Sequence, residues 1–335
     1  MIAIVRDMQY WKTVLKIAVS AVLVYWLIQK VDWPVVGHIL ANASGPLIFA
    51  YMGVQILGNI ISSAKWQYLA RIQGFKFSIQ EGVFAYLTGA LINNFLPSTV
   101  GGDAYRVFWM SKVGERSRAF AVVLFDRITG LLALFLFSGI GITLLPWQIL
   151  LDRPVFILFA AITLSVALAM LLALFVVERL YTLAVSLFEL LPWKKPTLLL
   201  GDFVPFISRN IYMKTILWAS LFTLVGIGGS NFILFSSLGA DISLLAFGSA
   251  IFAATLVANI PISINNIGVK EWAYVFFFGL VGVSSELAVT AALCSRLLQM
   301  LISFLALPNY LILRRTTDSG PSTTHYSAKR NIFTK

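Results

Sequence analysis

Asn94-Phe-Leu-Pro-Ser-Thr-Val-Gly-Gly-Asp-Ala-Tyr-Arg106 interrupts an apolar run that begins at Ile79, and Asn259-Ile-Pro-Ile-Ser-Ile-Asn-Asn-Ile-Gly-Val-Lys-Glu271 interrupts one that begins at Leu244. Each stretch runs from Asn through Pro and a polar, Gly-containing turn into a short charged helix. Proline removes a backbone donor and stops a helix, so each apolar run ends there and the chain turns. The rest of the chain decides where those turns lie. Of its 335 residues 59% are apolar and only 12% charged, and its mean hydropathy is +0.88, whereas a soluble domain carries about 25% charged residues. The composition is that of a membrane protein.

Six apolar stretches are long enough to span a bilayer, which takes about 20 residues: Val14 to Ile28, Gly45 to Ala64, Ala119 to Leu145, Val155 to Val177, Ile216 to Leu238 and Leu287 to Leu313. Basic residues collect in short cytoplasmic loops, and 19 of the 25 Lys and Arg fall on one side if the termini, Lys65 to Lys76, Lys112 to Arg118 and the loop 178–212 are cytoplasmic. Only Lys30 and Arg153 then lie outside, while Arg106, Arg127, Lys270 and Arg296 remain within apolar regions. This partition requires Ile79 to Lys112 to enter and leave on the cytoplasmic side, and Leu244 to Val281 to enter and leave on the outer side. The expected fold is therefore all-α and polytopic, with six transmembrane helices plus two oppositely oriented re-entrant helical hairpins.

The two halves also match in sequence. Ser78 precedes Ser243 by 165 positions, Asn94 precedes Asn259 by 165, Pro97 precedes Pro261 by 164, and Arg127 precedes Arg296 by 169. The pattern predicts an inverted repeat, with repeat 1 at about 44–146 and repeat 2 at about 213–313, inside a single membrane domain, 1–315. The loop 178–212, with leucines at helical spacing before Lys194 and Lys195, is expected to lie on the cytoplasmic surface, and the Ser- and Thr-rich tail 316–335 to be disordered. The first apolar stretch has no small-residue cleavage site after it and is expected to be retained as a span.

Irregular backbone at membrane depth is tolerated only against protein or a wet cavity. The turns and the N-termini of the return helices thus mark a candidate anion site. Its expected members are Asn94, Ser98, Thr99, Gly101, Gly102, Arg106 and Arg127 in the first half, and Asn259, Ser263, Asn265, Asn266, Gly268, Lys270 and Arg296 in the second. Asp103 and Glu271, at corresponding places beside cations, are candidates for coupling by proton uptake. The competing reading is internal ion pairing: Asp103 and Arg106 are three apart on one helix face, and Asp126 adjoins Arg127. The Gly226, Gly228, Gly229 and Ser230 cluster reads as helix packing.

The two quoted stretches, with Asp126-Arg127 and Ser295-Arg296, resemble the lysylphosphatidylglycerol synthase transmembrane-region family over roughly Leu15 to Leu313. These are flippase-like membrane proteins that include the membrane half of the multiple peptide resistance factor. The resemblance implies movement of an anionic or lipid-linked headgroup between leaflets of the plasma membrane. It does not extend to the soluble aminoacyl-transferase domain of the fused members, so lysylation is not expected of this sequence.

The expected function is a flippase for an anionic phospholipid or a polyprenyl-phosphate type of lipid, working without ATP, since no G-x-x-x-x-G-K-[ST] motif occurs. Its partners would be that lipid, a lipid-modifying enzyme encoded elsewhere, or a second copy of the chain. The alternatives are an ion-coupled transporter of a small anionic solute and a non-catalytic partner of a glycosyl- or aminoacyl-transferase. No enzymatic activity, cofactor, metal or nucleic acid is expected: Cys294, His38 and His325 are the only cysteine and histidines, too few for a thiolate or imidazole cluster.

Overall fold

The computed structural model describes residues 2–95, 101–189 and 201–307. Its elements are helical: α1 (Ile2–Lys30), α2 (Trp33–Ala41), α3 (Gly45–Ile72), α4 (Ile79–Phe95), α5 (Gly101–Ser111), α6 (Arg116–Thr143), α7 (Trp147–Asp152), α8 (Pro154–Glu189), α9 (Arg209–Ser237), α10 (Leu244–Ala258), α11 (Val269–Leu280) and α12 (Ser285–Ser303). Among the described residues five helices are long and apolar enough to cross a bilayer, and a sixth span is available if α1 and α2, bent by 81° at their junction, are taken together. Phe49, Leu217 and Leu15 are among the large apolar side chains left mostly exposed, as expected of surfaces that face hydrocarbon rather than water.

α4 and α5 form a hairpin whose two feet meet. The Phe77 and Trp109 rings lie 5.1 Å apart, and a Cβ on Gly114 would stand 2.5 Å from the Phe75 ring. Near the tip, Gly89 and Gly102 touch through their backbones: a Cβ on Gly102 would lie 2.5 Å from the Gly89 carbonyl, so only glycine permits this approach. α10 and α11 form the second hairpin, with Phe247 near its start 5.6 Å from Phe278 near its end. Ser243 caps α10 by accepting from Ala246 N, and Ser284 caps α12 by accepting from Leu287 N, both common N-cap arrangements.

The long helix α6 orders the two hairpins. Its N-terminus follows Gly114 at the feet of the first hairpin. Near its C-terminus, about 42 Å away at 1.5 Å per residue, Gly141 packs on Ser249 in the early part of α10, and Phe137 lies 5.6 Å from Phe252. The feet of the two hairpins therefore stand at opposite ends of α6. Each outgoing helix packs on the long helix of the other half, α4 on α12 and α10 on α6, and each return helix on that of its own half, α5 on α6 and α11 on α12.

α3 and α9 cross between the halves at Gly58 and Gly226, where a Cβ on Gly58 would lie 2.8 Å from Gly226 Cα. Here α9 widens into a π-helical turn, Thr223–Gly229, which carries the glycine cluster. α1 covers the second hairpin's turn, with Ser20 Oγ accepting from Ile264 N at 3.0 Å.

Some boundaries differ from the sequence reading. α3 runs on past Ala64 to Ile72 because Trp66, Leu69 and Ala70 continue its buried face, so Lys65 lies inside the helix and not in a loop. α8 continues without a break to Glu189, so no separate surface helix begins at Leu180. Residues 190–200 of the expected surface loop and the tail 316–335 lie outside the described residues.

Candidate functional site

A cavity of about 480 Å³ opens between the hairpins, walled by α3, α4, α5, α6, α9, α10, α11 and α12. Its first half is a chain of alternating charges. Lys65 Nζ stands 2.9 Å from Asp126 Oδ1, Arg106 bridges Asp126 Oδ2 at 2.9 Å and Asp103 Oδ1 at 2.5 Å, and Asp103 also pairs with Arg127. Arg106 is further sandwiched against the Tyr86 ring at 4.5 Å and the Trp66 ring at 5.5 Å. Charges this deep persist only when paired and hydrogen-bonded, and the chain of five, three cations and two carboxylates, meets that requirement with one positive charge to spare.

The second half is built differently. Arg296 binds Glu271 Oε1 through Nε at 3.0 Å and through a terminal nitrogen at 2.8 Å, and donates to the carbonyls of Asn265 at 3.0 Å and Asn266 at 3.1 Å. Those two asparagines have φ of 46° and 57°, the left-handed region that short amide side chains tolerate, so Arg296 braces the turn they form. Lys270 donates to Ser295 Oγ at 2.7 Å and lies 5.7 Å from the Tyr274 ring. Among the described residues it has no carboxylate within ion-pair distance.

The helix N-termini are partly occupied by the chain's own groups. Gly102 N donates to Asn93 Oδ1 at 2.6 Å, and Gly268 N, at φ 84°, donates to Glu271 Oε2 at 2.8 Å. Glu271 thus caps its own helix while binding Arg296, which leaves less of the dipole end open to a ligand than the sequence suggests.

The profile of the lysylphosphatidylglycerol synthase TM region matches residues 13–306. The chain belongs to this family. A UPF0104 membrane protein of Methanocaldococcus jannaschii is 27% identical over 129 residues, 38% of each chain, so the match spans well under half of that relative.

In this lysylphosphatidylglycerol synthase TM-region protein, a multi-pass membrane protein, the structure gathers Gly102, Asp103, Arg106, Arg127, Asn259, Asn266 and Lys270 at the cavity wall. Ser98 and Thr99 lie outside the described residues. Gly101, Ser263, Asn265 and Gly268 belong to the helix starts and turns behind the wall. Asn94 turns away and donates to Ser303 Oγ at 2.8 Å on α12; its neighbour Asn93 faces the cavity. Arg296 and Glu271 also stand behind the wall, as a brace.

The pairing differs from the simplest expectation too. Asp126 binds Lys65 and Arg106, not adjacent Arg127, because neighbours on a helix point about 100° apart.

Sequence reasoning missed Lys65 and most of the neutral polar wall: Gln55, Asn59, Ser62, Asn231 and Gln299. A signal was present. Gln55, Asn59, Ser62 and Lys65 follow one another at spacings of four, three and three, a single polar stripe on an apolar helix.

Proposed function

We propose that this protein is a membrane flippase that moves an anionic phospholipid or a lipid-linked phosphate headgroup between leaflets, without ATP hydrolysis. The observation that carries the reading is the charge of the cavity. Lys65, Arg106, Arg127 and Lys270 line it against Asp103 and Asp126 alone, which leaves two positive charges facing a space large enough for a headgroup. Cations at the bilayer centre cost roughly 2.5–3.5 kcal/mol each on insertion scales, and an excess of them around the cavity is consistent with an anionic cargo.

The fold supports the same reading. With hairpin feet at opposite ends of α6, the two hairpins act as re-entrant segments entering from opposite faces, and the halves form an inverted repeat whose turns meet near the midplane. The distribution of basic residues among the loops supports a plasma-membrane protein with both termini in the cytoplasm. Exchange of access then comes from rocking of one half against the other about the Gly58–Gly226 crossing.

The test is reconstitution of the purified protein into liposomes with headgroup-distinct fluorescent lipids in the inner leaflet. Faster loss of sidedness for anionic lipids than for a choline lipid supports the proposal. Equal slow rates with and without protein contradict it.

A further inference from the structure

Most charges of the cavity wall are locked in place by one another. Arg106 and Arg127 stay cationic, because a guanidinium does not lose its proton in a protein. Lys65 is held by the Asp126 carboxylate at 2.9 Å, and its neutralisation would take a partner from that buried anion. The carboxylates are no freer. Asp103 and Asp126 each bind two cations, and Glu271 binds Arg296 and the Gly268 N–H, so a proton on any of them would break a charge pair inside the protein.

Lys270 differs. It is half-buried in the first turn of α11 and lines the cavity, with Ser295 Oγ at 2.7 Å as its hydrogen-bond partner and no carboxylate within ion-pair distance among the described residues. A neutral amine keeps two N–H donors, so the bond to Ser295 survives the loss of a proton. Lysine can be neutral inside a protein, as arginine cannot.

Nothing around it fixes the charge. Glu271 and Tyr274 stand on its own helix, and α12 brings Arg296, already paired with Glu271, and Cys294. α3 brings the Tyr51 hydroxyl, which donates to the Ser295 carbonyl. α10 carries no titratable side chain, and α1 meets the hairpin turn through Ser20 and Leu23. Across the cavity lie the paired charges of the first half. An anionic cargo would supply the partner that Lys270 lacks.

We infer that Lys270 carries a proton in step with the cargo: as an ammonium it pairs with the bound anion, and on release it returns the proton to solvent and becomes an amine. Loading takes up one proton and unloading gives it back. This rests on the anionic-cargo reading of the same cavity.

The experiment follows dioctanoyl phosphatidylglycerol binding to the full chain in detergent as pH is raised. Affinity should fall by about tenfold or more from about pH 6 to about pH 9, because a required proton is being lost. Lys270→Arg, a permanent cation, and Lys270→Gln, which has no charge, should each change by less than about twofold over the same range. In liposomes, movement of a fluorescent phosphatidylglycerol by the parent should carry protons, read by an entrapped pH dye, and in Lys270→Arg its rate should no longer respond to a pH gradient. A Lys270 with a structural role alone would weaken binding in Lys270→Gln at every pH without flattening the profile.

A parent whose binding and transport ignore pH overturns the inference, and that measurement needs no variant. A pH response that persists in Lys270→Arg or Lys270→Gln overturns it too, since the proton then sits on another group. Proton-linked binding without movement in liposomes would defeat the flippase reading and leave the proton site. Lipid movement at a rate blind to pH would do the reverse.

Discussion

Lys65 Nζ lies 2.9 Å from Asp126 Oδ1, and the two residues, 61 positions apart in sequence, are both buried in the cavity wall. The pair ties α3 to α6 while Arg106 ties α5 to the same carboxylate, so Asp126 joins three helices. Removing its charge should leave Lys65 without a carboxylate in a low-dielectric wall and Arg106 with Asp103 as its remaining ion-pair partner. Asp126→Asn is expected to cost about 3–5 kcal/mol, read as a fall in thermal unfolding temperature in detergent. Adding Lys65→Met to Asp126→Asn should recover part of that loss, because the second change removes the stranded charge. Strictly additive losses would mean that the two side chains do not act as a pair.

At the crossing of α3 and α9, backbone meets backbone. A side chain on Gly58 must push the helices apart, so Gly58→Val should cost about 1–3 kcal/mol by overpacking. Gly53 is on the same helix, and a Cβ there would meet nothing within 4 Å. Gly53→Val should therefore cost nothing measurable, since valine ranks above glycine in helix propensity. Thermal unfolding of the two variants side by side checks the difference.

Arg296 should behave as a brace. Lysine keeps the charge but lacks the fork that reaches Glu271 and two carbonyls together. Arg296→Lys is therefore expected to loosen the Asn265–Asn266 turn and raise amide hydrogen exchange there and at the start of α11. Exchange confined to Arg296's own helix would argue against this role.

The hairpins make a topological prediction. With Cys294 replaced by serine, single cysteines at Lys76 and Lys112, beside the two feet of the first hairpin, should react with an impermeant reagent from one side of the membrane, and a cysteine at Asp241, before the second hairpin, from the other. Labelling of Lys76 and Lys112 from opposite sides would make α4–α5 a crossing pair.

The sequence made both hairpins visible because Asn, Pro and Gly break apolar runs at matching places. It also exposed Arg106, Arg127 and Lys270, since cations are conspicuous among apolar residues. It concealed Lys65 because a lysine just after an apolar run looks like a loop residue, and only the continued burial of Trp66 and Leu69 puts it inside the protein. Partner choice was hidden as well. Which of Asp103 and Asp126 binds which cation depends on how α3, α5 and α6 face one another, and local spacing carries no trace of that. The neutral wall went unread for a related reason: an isolated Gln or Asn on a membrane helix gains meaning only when Gln55 and Asn266, 211 positions apart in the chain, are seen to face the same space.

The most direct measurement is the rate at which a fluorescent phosphatidylglycerol changes leaflet in liposomes containing the parent protein, Lys270→Gln, or Lys112→Gln. Lys270 faces the cavity, whereas Lys112 is exposed at the end of α5. Loss of a charged hydrogen bond to the headgroup should slow Lys270→Gln by about tenfold or more, with Lys112→Gln near the parent rate. Equal rates for all three proteins, or an equal loss in both variants, would contradict a headgroup path through this cavity.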